Sequence, residues 1–230
     1  MGVAGARYIP GMEVVLLTLV AFGLGALPLA WWLGRAVLHA DIRAYGPDHN
    51  PGAGNAWRAG GWKVGLAAGA LDVGKATTGV ALARIAGLDG WALLPVAVAP
   101  LLGHAFTPIL GGRGGKGVAT LFGAWIGLSG VLAGGLVLAL CYAVFYVAQR
   151  VDAWTNVLGV ALFLVVLTAR GEPAWLLTVA AADLADAPQL AERLWGARHE
   201  IRVRGQVIAA ERRAESDAWW ERVVGVVSNT

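Results

Sequence analysis

Long apolar runs separated by short polar, glycine-rich stretches dominate this chain, and most are long enough for a helix to cross a bilayer. A hydrocarbon core of about 30 Å takes about 20 helical residues. The first run extends from about Val14 to Trp32 and closes on Trp31, Trp32 and Arg35, residue types suited to a membrane interface. Residues 34–62 then read as a polar loop containing Gly and Pro. A second run, about Lys63 to Ile85, carries Asp72 and Lys75, and a third, about Trp91 to Leu110, leads into the glycine cluster at 111–117. Residues 118–149 are apolar for too long to form one ordinary span, unless they make one long helix. Gly127, Ser129, Gly130, Gly134 and Gly135 mark a turn within them, which leaves a first helix of about 13 residues and roughly 20 Å. Further runs cover about Trp154 to Ala169 and, more weakly, about Ala174 to Ala187, where Asp183 and Asp186 interrupt. The pattern predicts an all-α, polytopic transmembrane helix bundle over residues 1–187, with five to seven spans and seven preferred. Residues 188–230, with seven arginines, form a polar tail of helical character.

Composition agrees. Charged residues are 14% of the chain, against about 25% in soluble domains, while hydrophobic residues reach 57% and mean hydropathy is +0.63. That balance excludes a water-soluble fold and intrinsic disorder. The lone Cys141 excludes an internal disulfide scaffold. Eleven Trp and 33 Gly suit bilayer interfaces and close helix packing. No basic arm interleaved with aromatics points to nucleic acid. The run after Arg7 continues without a small-x-small cleavage site, so a retained first span is expected.

Charge orients the bundle. Arg35, Arg43 and Arg58 follow the first span and Arg113 and Lys116 the third, whereas Arg84 between the second and third is balanced by Asp89. The positive-inside rule therefore places the loops at 34–62 and 111–117 together in the cytoplasm. Seven spans put Arg150 and the tail on the same side; five also keep the tail inside but move Arg150 out.

Two loops rich in Gly, Asn and cations thus meet at one membrane face. In 111–117, five glycines surround Arg113 and Lys116. Glycine lets consecutive backbone N–H groups turn inward as an anion nest, and the following helix adds its N-terminal dipole. The alternative is a flexible turn whose cations contact lipid headgroups. The spacing is not that of a nucleotide P-loop, because no Ser or Thr follows Lys116. In the first loop, Asn50 and Asn55 suit a polyol or carbonyl, and Arg43 and Arg58 suit phosphate; a plain turn cluster with solvated arginines is the competing reading. Asp72 and Lys75 share a helix face, a costly pair that either faces a cavity or neutralises itself. Lys75 lies a dozen or so residues into its span, so a surface substrate would need a funnel-like site to reach it. His104 falls a turn or two before the glycine loop. Asp48 and His49 lack the neighbours of a metal site. Gly65/Gly69 and Gly123/Gly127 have helix-packing spacing.

Over roughly residues 22–122 the chain resembles the bacterial acyl-phosphate:glycerol-3-phosphate acyltransferases, integral membrane enzymes of phospholipid synthesis. The resemblance rests on Gly103-His104-Ala105-Phe106 with Gly111-Gly112-Arg113-Gly114-Gly115-Lys116-Gly117-Val118-Ala119-Thr120, and on Leu71-Asp72-Val73-Gly74-Lys75. Asp41-Ile42-Arg43, Asn50-Pro51-Gly52-Ala53-Gly54-Asn55 and Arg58 carry the rest, with Gly25-Ala26-Leu27-Pro28 and Leu33-Gly34-Arg35 also similar. It implies acyl transfer from acyl phosphate to the primary hydroxyl of glycerol 3-phosphate, giving lysophosphatidic acid and phosphate, with no cofactor and no metal. It implies a catalytic group of His104, Asn50, Asn55 and Arg58. Arg43, Lys75, Arg113, Gly114, Gly115, Lys116, Gly117 and Thr120 would bind substrate and phosphate, with Asp72 as an ion-pair partner. Implied partners are the two substrates, membrane lipids and the soluble enzyme that makes acyl phosphate; the implied location is the bacterial inner membrane.

This chain departs from the family pattern chiefly in two places, besides Gly54 where the family usually has Thr and a longer tail. Gly46-Pro47-Asp48-His49-Asn50 stands where the family has Gly-Ser-Gly-Asn, and residues 186–194 lack the family's His-Arg-Glu-Asn segment. A binding-only relative that holds phosphorylated lipid precursors is therefore the alternative. A small transporter coupled through Asp72 and Lys75 is a further one, for which the chain shows no clear inverted repeat.

Overall fold

The computed structural model describes residues 11–46, 48–148 and 152–184. The tail at 188–230, Arg150, Asp186 and the 186–194 segment lie outside the described residues. The helices are α1 (Met12–Ala26), α2 (Leu29–Leu38), α3 (Ala53–Ile85), α4 (Leu93–Ala105), α5 (Val118–Gly130), α6 (Val137–Ala148), α7 (Asp152–Ala169) and α8 (Ala174–Leu184). With α1 and α2 taken as one broken span, seven helical segments result among the described residues. Met12–Leu38 and Gly90–Leu110 are long and apolar enough to cross a membrane by themselves.

Apolar residues clothe the outside as well as the inside. Leu19, Leu66, Ile85, Leu140, Val147 and Val165 are all exposed, an arrangement that suits lipid and not water. Inside, small residues let backbones approach. A Cβ on Gly25 would lie 2.3 Å from the Pro100 carbonyl oxygen and one on Gly103 would lie 2.2 Å from that of Phe22, so α1 and α4 meet almost backbone to backbone. Gly123 and Gly127 press α5 against Val73, Thr77 and Val80 of α3 in the same way.

Three breaks interrupt the helices. Pro28 stops α1 and opens α2, because it has no N–H to continue the helix. Gly130, at φ 83°, ends α5; the following π-helical turn, Val131–Leu136, returns so that Gly134 and Gly135 pack on Trp125 and Ile126. This is the turn expected within 118–149. The third break is at Gly61, where φ 76° and ψ −176° interrupt α3. Residues 53–60 fold back along the same helix, bringing Trp57 against Gly65 and Ala53 against Gly69. Gly65 and Gly69 therefore serve contacts within α3 and not with a neighbouring helix. Much of the expected loop at 34–62 is in fact structured: α2 runs to Leu38, Ile42–Tyr45 forms a 3-10 turn, and 53–60 is helical. Ile42, buried together with Ala30, Ala56 and Ala68, anchors that turn on the bundle.

Several polar groups inside the apolar bundle are paired. The Trp125 indole donates to Asp183 Oδ2 at 3.0 Å and meets the Phe163 ring edge-on at 4.6 Å, tying α5 to α7 and α8. This is how α8 carries the carboxylate that interrupts its run. Arg84, at the end of α3, donates to the Leu128 carbonyl.

Candidate active site

A small cleft opens at the Pro28 break, between α1, α3, α4 and the glycine loop. Gly25 to Pro28 form one wall, Asp72, His104 and Thr107 the floor and side, and Pro51 with Gly114 and Gly115 the loop wall. The α1–α2 break feeds this cleft directly. Interrupting a helix strips its last carbonyls of their usual donors, and inside a bundle other groups must supply them. The Thr107 hydroxyl donates to the Ala26 carbonyl and Lys75 Nζ donates to that of Leu27 at 2.7 Å.

Lys75 is at the centre of a buried group. Its ammonium is 2.9 Å from Asp72 Oδ1 and 2.9 Å from His104 Nδ1, and all three side chains are buried. Nζ donates to the Leu27 carbonyl, is in hydrogen-bond contact with His104 Nδ1 and forms an ion pair with Asp72. A Lys75 that donates to Nδ1 leaves His104 neutral, with its proton on Nε2. That edge of the ring faces the glycine loop: a Cβ on Gly115 would lie 2.2 Å from Nε2 and 3.1 Å from Asn50 Oδ1. Lys75 is thus surrounded by protein groups.

The glycine loop is built onto the end of α4. The Gly114 N–H donates to the Ala105 carbonyl at 2.9 Å and the Gly115 N–H to that of His104 at 3.1 Å. A Cβ on Gly114 would sit 1.8 Å from the His104 carbonyl oxygen, so glycine is required there. These two amides therefore satisfy helix carbonyls, unlike the open anion nest suggested by the composition. Gly117, at φ 77°, directs the chain into α5. Thr120 is buried on the first turn of α5, and its hydroxyl has no hydrogen-bond partner among the described residues.

The first loop closes over the second. Asp48 Oδ2 is 2.7 Å from Lys116 Nζ, while Asp48 Oδ1 accepts from Asn55 Nδ2 at 3.1 Å and from the Asn50 N–H at 3.3 Å. Burial works against ionisation of Asp48, but Lys116 and the two amide donors outweigh it and hold the carboxyl below its ordinary range. Asn55 Nδ2 also donates to the Asn50 carbonyl at 2.9 Å, and its Oδ1 accepts from exposed Arg58 at 2.6 Å. Asn50 Oδ1, buried beside Gly115, has no partner among the described residues. Arg113 is exposed.

Arg43 is engaged elsewhere. It forms a two-pronged pair with Asp41, at 3.0 Å and 2.7 Å, and lies over the Trp31 ring at 5.6 Å. Its hydrogen bond is the main reason the Asp41 carboxyl falls to about 2. The structure therefore gathers His104, Asn50, Asn55, Arg58, Gly114, Gly115 and Lys116 around the two loops, and keeps Lys75 and Asp72 beneath them. Sequence reasoning missed Thr107, the Leu27 carbonyl and the Asp48 bridge. Pro28 within an apolar run was the available signal for the first two, and a lone acid in a basic loop for the third.

Comparison with known proteins converges on one chemistry. The family described as Glycerol-3-phosphate acyltransferase matches residues 15–191. The glycerol-3-phosphate acyltransferase of Anaeromyxobacter sp. (strain Fw109-5) is 42% identical over 153 residues, covering 63% of this chain and 73% of its own. That of Enterococcus faecalis is 32% identical over 182 residues, covering 75% and 82%. Among solved structures, the glycerol 3-phosphate form of PlsY (YgiH), an integral membrane glycerol 3-phosphate acyltransferase, superposes with a TM-score of 0.71 at 25% identity. It covers 83% of this chain and 92% of PlsY.

Proposed function

This chain belongs to the glycerol-3-phosphate acyltransferase family, and from that premise we propose that it moves an acyl group from acyl phosphate to glycerol 3-phosphate, releasing lysophosphatidic acid and phosphate. It is an integral membrane acyltransferase of phospholipid synthesis. The primary hydroxyl oxygen attacks the acyl carbonyl carbon, and the bond from that carbon to the bridging phosphate oxygen breaks. The electron pair leaves with phosphate, which also takes up the hydroxyl proton. Acyl phosphate is already activated, so positioning and charge stabilisation are the tasks left to the protein.

The observation that carries this reading is the cleft at the Pro28 break, with His104 on its wall and both polar loops at its rim. The Lys75–His104 contact supports a neutral ring whose Nε2–H donates to charge developing on the carbonyl or the departing phosphate. Lys116 and Arg113 supply cations for phosphate, and Asn50, Asn55 and Arg58 orient the polyol. Thr120 and Gly117 belong to the α5 end of the same site, and Arg43 with Asp41 braces the first loop against Trp31. Both loops and the tail face the cytoplasm in this reading, where the soluble supplier of acyl phosphate has access to them.

Donor choice tests it. Purified protein in detergent, given labelled glycerol 3-phosphate, should form lysophosphatidic acid with acyl phosphate and not with acyl-CoA, and Lys116→Ala should remove most of that activity. Product from acyl-CoA alone would overturn the donor assignment.

A further inference from the structure

The rim of the cleft already holds an anion. Three donors converge on the Asp48 carboxylate: Lys116 Nζ at 2.7 Å, Asn55 Nδ2 at 3.1 Å and the Asn50 N–H at 3.3 Å. These are the donor types that take a phosphate oxygen: an ammonium, a side-chain amide and a backbone amide. The pair is only partly open to solvent, with side-chain exposures of 32% for Lys116 and 26% for Asp48. Asn50 and Pro51 follow two and three positions later, and Pro51 lines the cleft with Gly115.

We infer that Asp48 is an affinity-setting residue, an internal carboxylate seated on Lys116, the phosphate-site cation, and on the neighbouring Asn55 and Asn50 amides, that an incoming phosphorylated substrate must displace from Lys116. This rests on the reading that glycerol 3-phosphate enters this cleft. Two anions cannot share one ammonium without mutual repulsion, so each phosphate that binds exchanges with the carboxylate. The exchange holds substrate affinity below what the donor set would otherwise give. It also eases release of the anionic products, since the carboxylate returns to Lys116 as phosphate leaves. A purely structural bridge between the loops would act in the opposite direction, because removing it would loosen the site and weaken phosphate binding.

Binding of inorganic phosphate to detergent-solubilised protein, measured by calorimetry, separates these cases without needing turnover. Asp48→Asn, and Asp48→Ser as a second variant, should bind phosphate about tenfold more tightly than the unaltered protein, with thermal midpoints showing that each is folded. The gain should vanish in Asp48→Asn/Lys116→Met. The KM for glycerol 3-phosphate should fall by a similar factor. Unchanged or weaker phosphate binding in both folded variants would overturn the inference. So would a collapse of kcat with phosphate affinity unaltered, which would make Asp48 a catalytic residue. If the unaltered protein transfers no acyl group, the proposed reaction fails, and the phosphate titration still decides the role of Asp48.

Discussion

Lys75→Met is expected to destabilise the protein by about 3–5 kcal/mol, because it strips a buried carboxylate of its charged partner. Asp72 and Lys75 are 2.9 Å apart and both buried. Unfolding midpoints in mild detergent check this. The double variant Asp72→Asn/Lys75→Met should recover much of the loss, since it removes both charges, but it should not recover activity. His104 would still lack the donor at Nδ1 that fixes its tautomer. A double variant with restored activity would show that Lys75 supports only the fold.

His104→Ala is expected to lower kcat by about 10²–10³, the usual consequence of losing one donor aimed at developing negative charge. KM for glycerol 3-phosphate should change little, because in the proposed reaction the ring serves the reacting acyl phosphate and not the phosphate of glycerol 3-phosphate. His104→Gln, which keeps an N–H, should retain part of the rate. Steady-state kinetics on the three proteins check these expectations.

Much of this architecture was legible in the sequence. The apolar runs gave the helices, and the glycines around 127–135 located a reversal that the structure puts at Gly130. The meeting of the two polar loops followed from counting spans and charges, and the Asp48–Lys116 bridge joins them. Periodicity could not show the fold-back at Gly61, because residues 53–60 and 62–85 are both helical and only one backbone angle separates them. That turn resolves the apparent depth of Lys75. Folding back along α3 carries Asn50 and Asn55 down toward Asp72, so a long funnel from the surface is unnecessary. The triad of Asp72, Lys75 and His104 was equally hidden, since its members lie on two helices and 29 positions separate Lys75 from His104. Composition suggested an anion nest in 111–117, but α4 needs its last carbonyls capped, and the Gly114 and Gly115 amides are used there.

One coupled assay bears most directly on the central claim. Purified protein is given acyl-labelled acyl phosphate and glycerol 3-phosphate, and lysophosphatidic acid and released phosphate are counted together. Direct transfer predicts one lysophosphatidic acid per phosphate, with neither formed in quantity when glycerol 3-phosphate is withheld. Phosphate released with free fatty acid, or no product while glycerol 3-phosphate still binds, would contradict it.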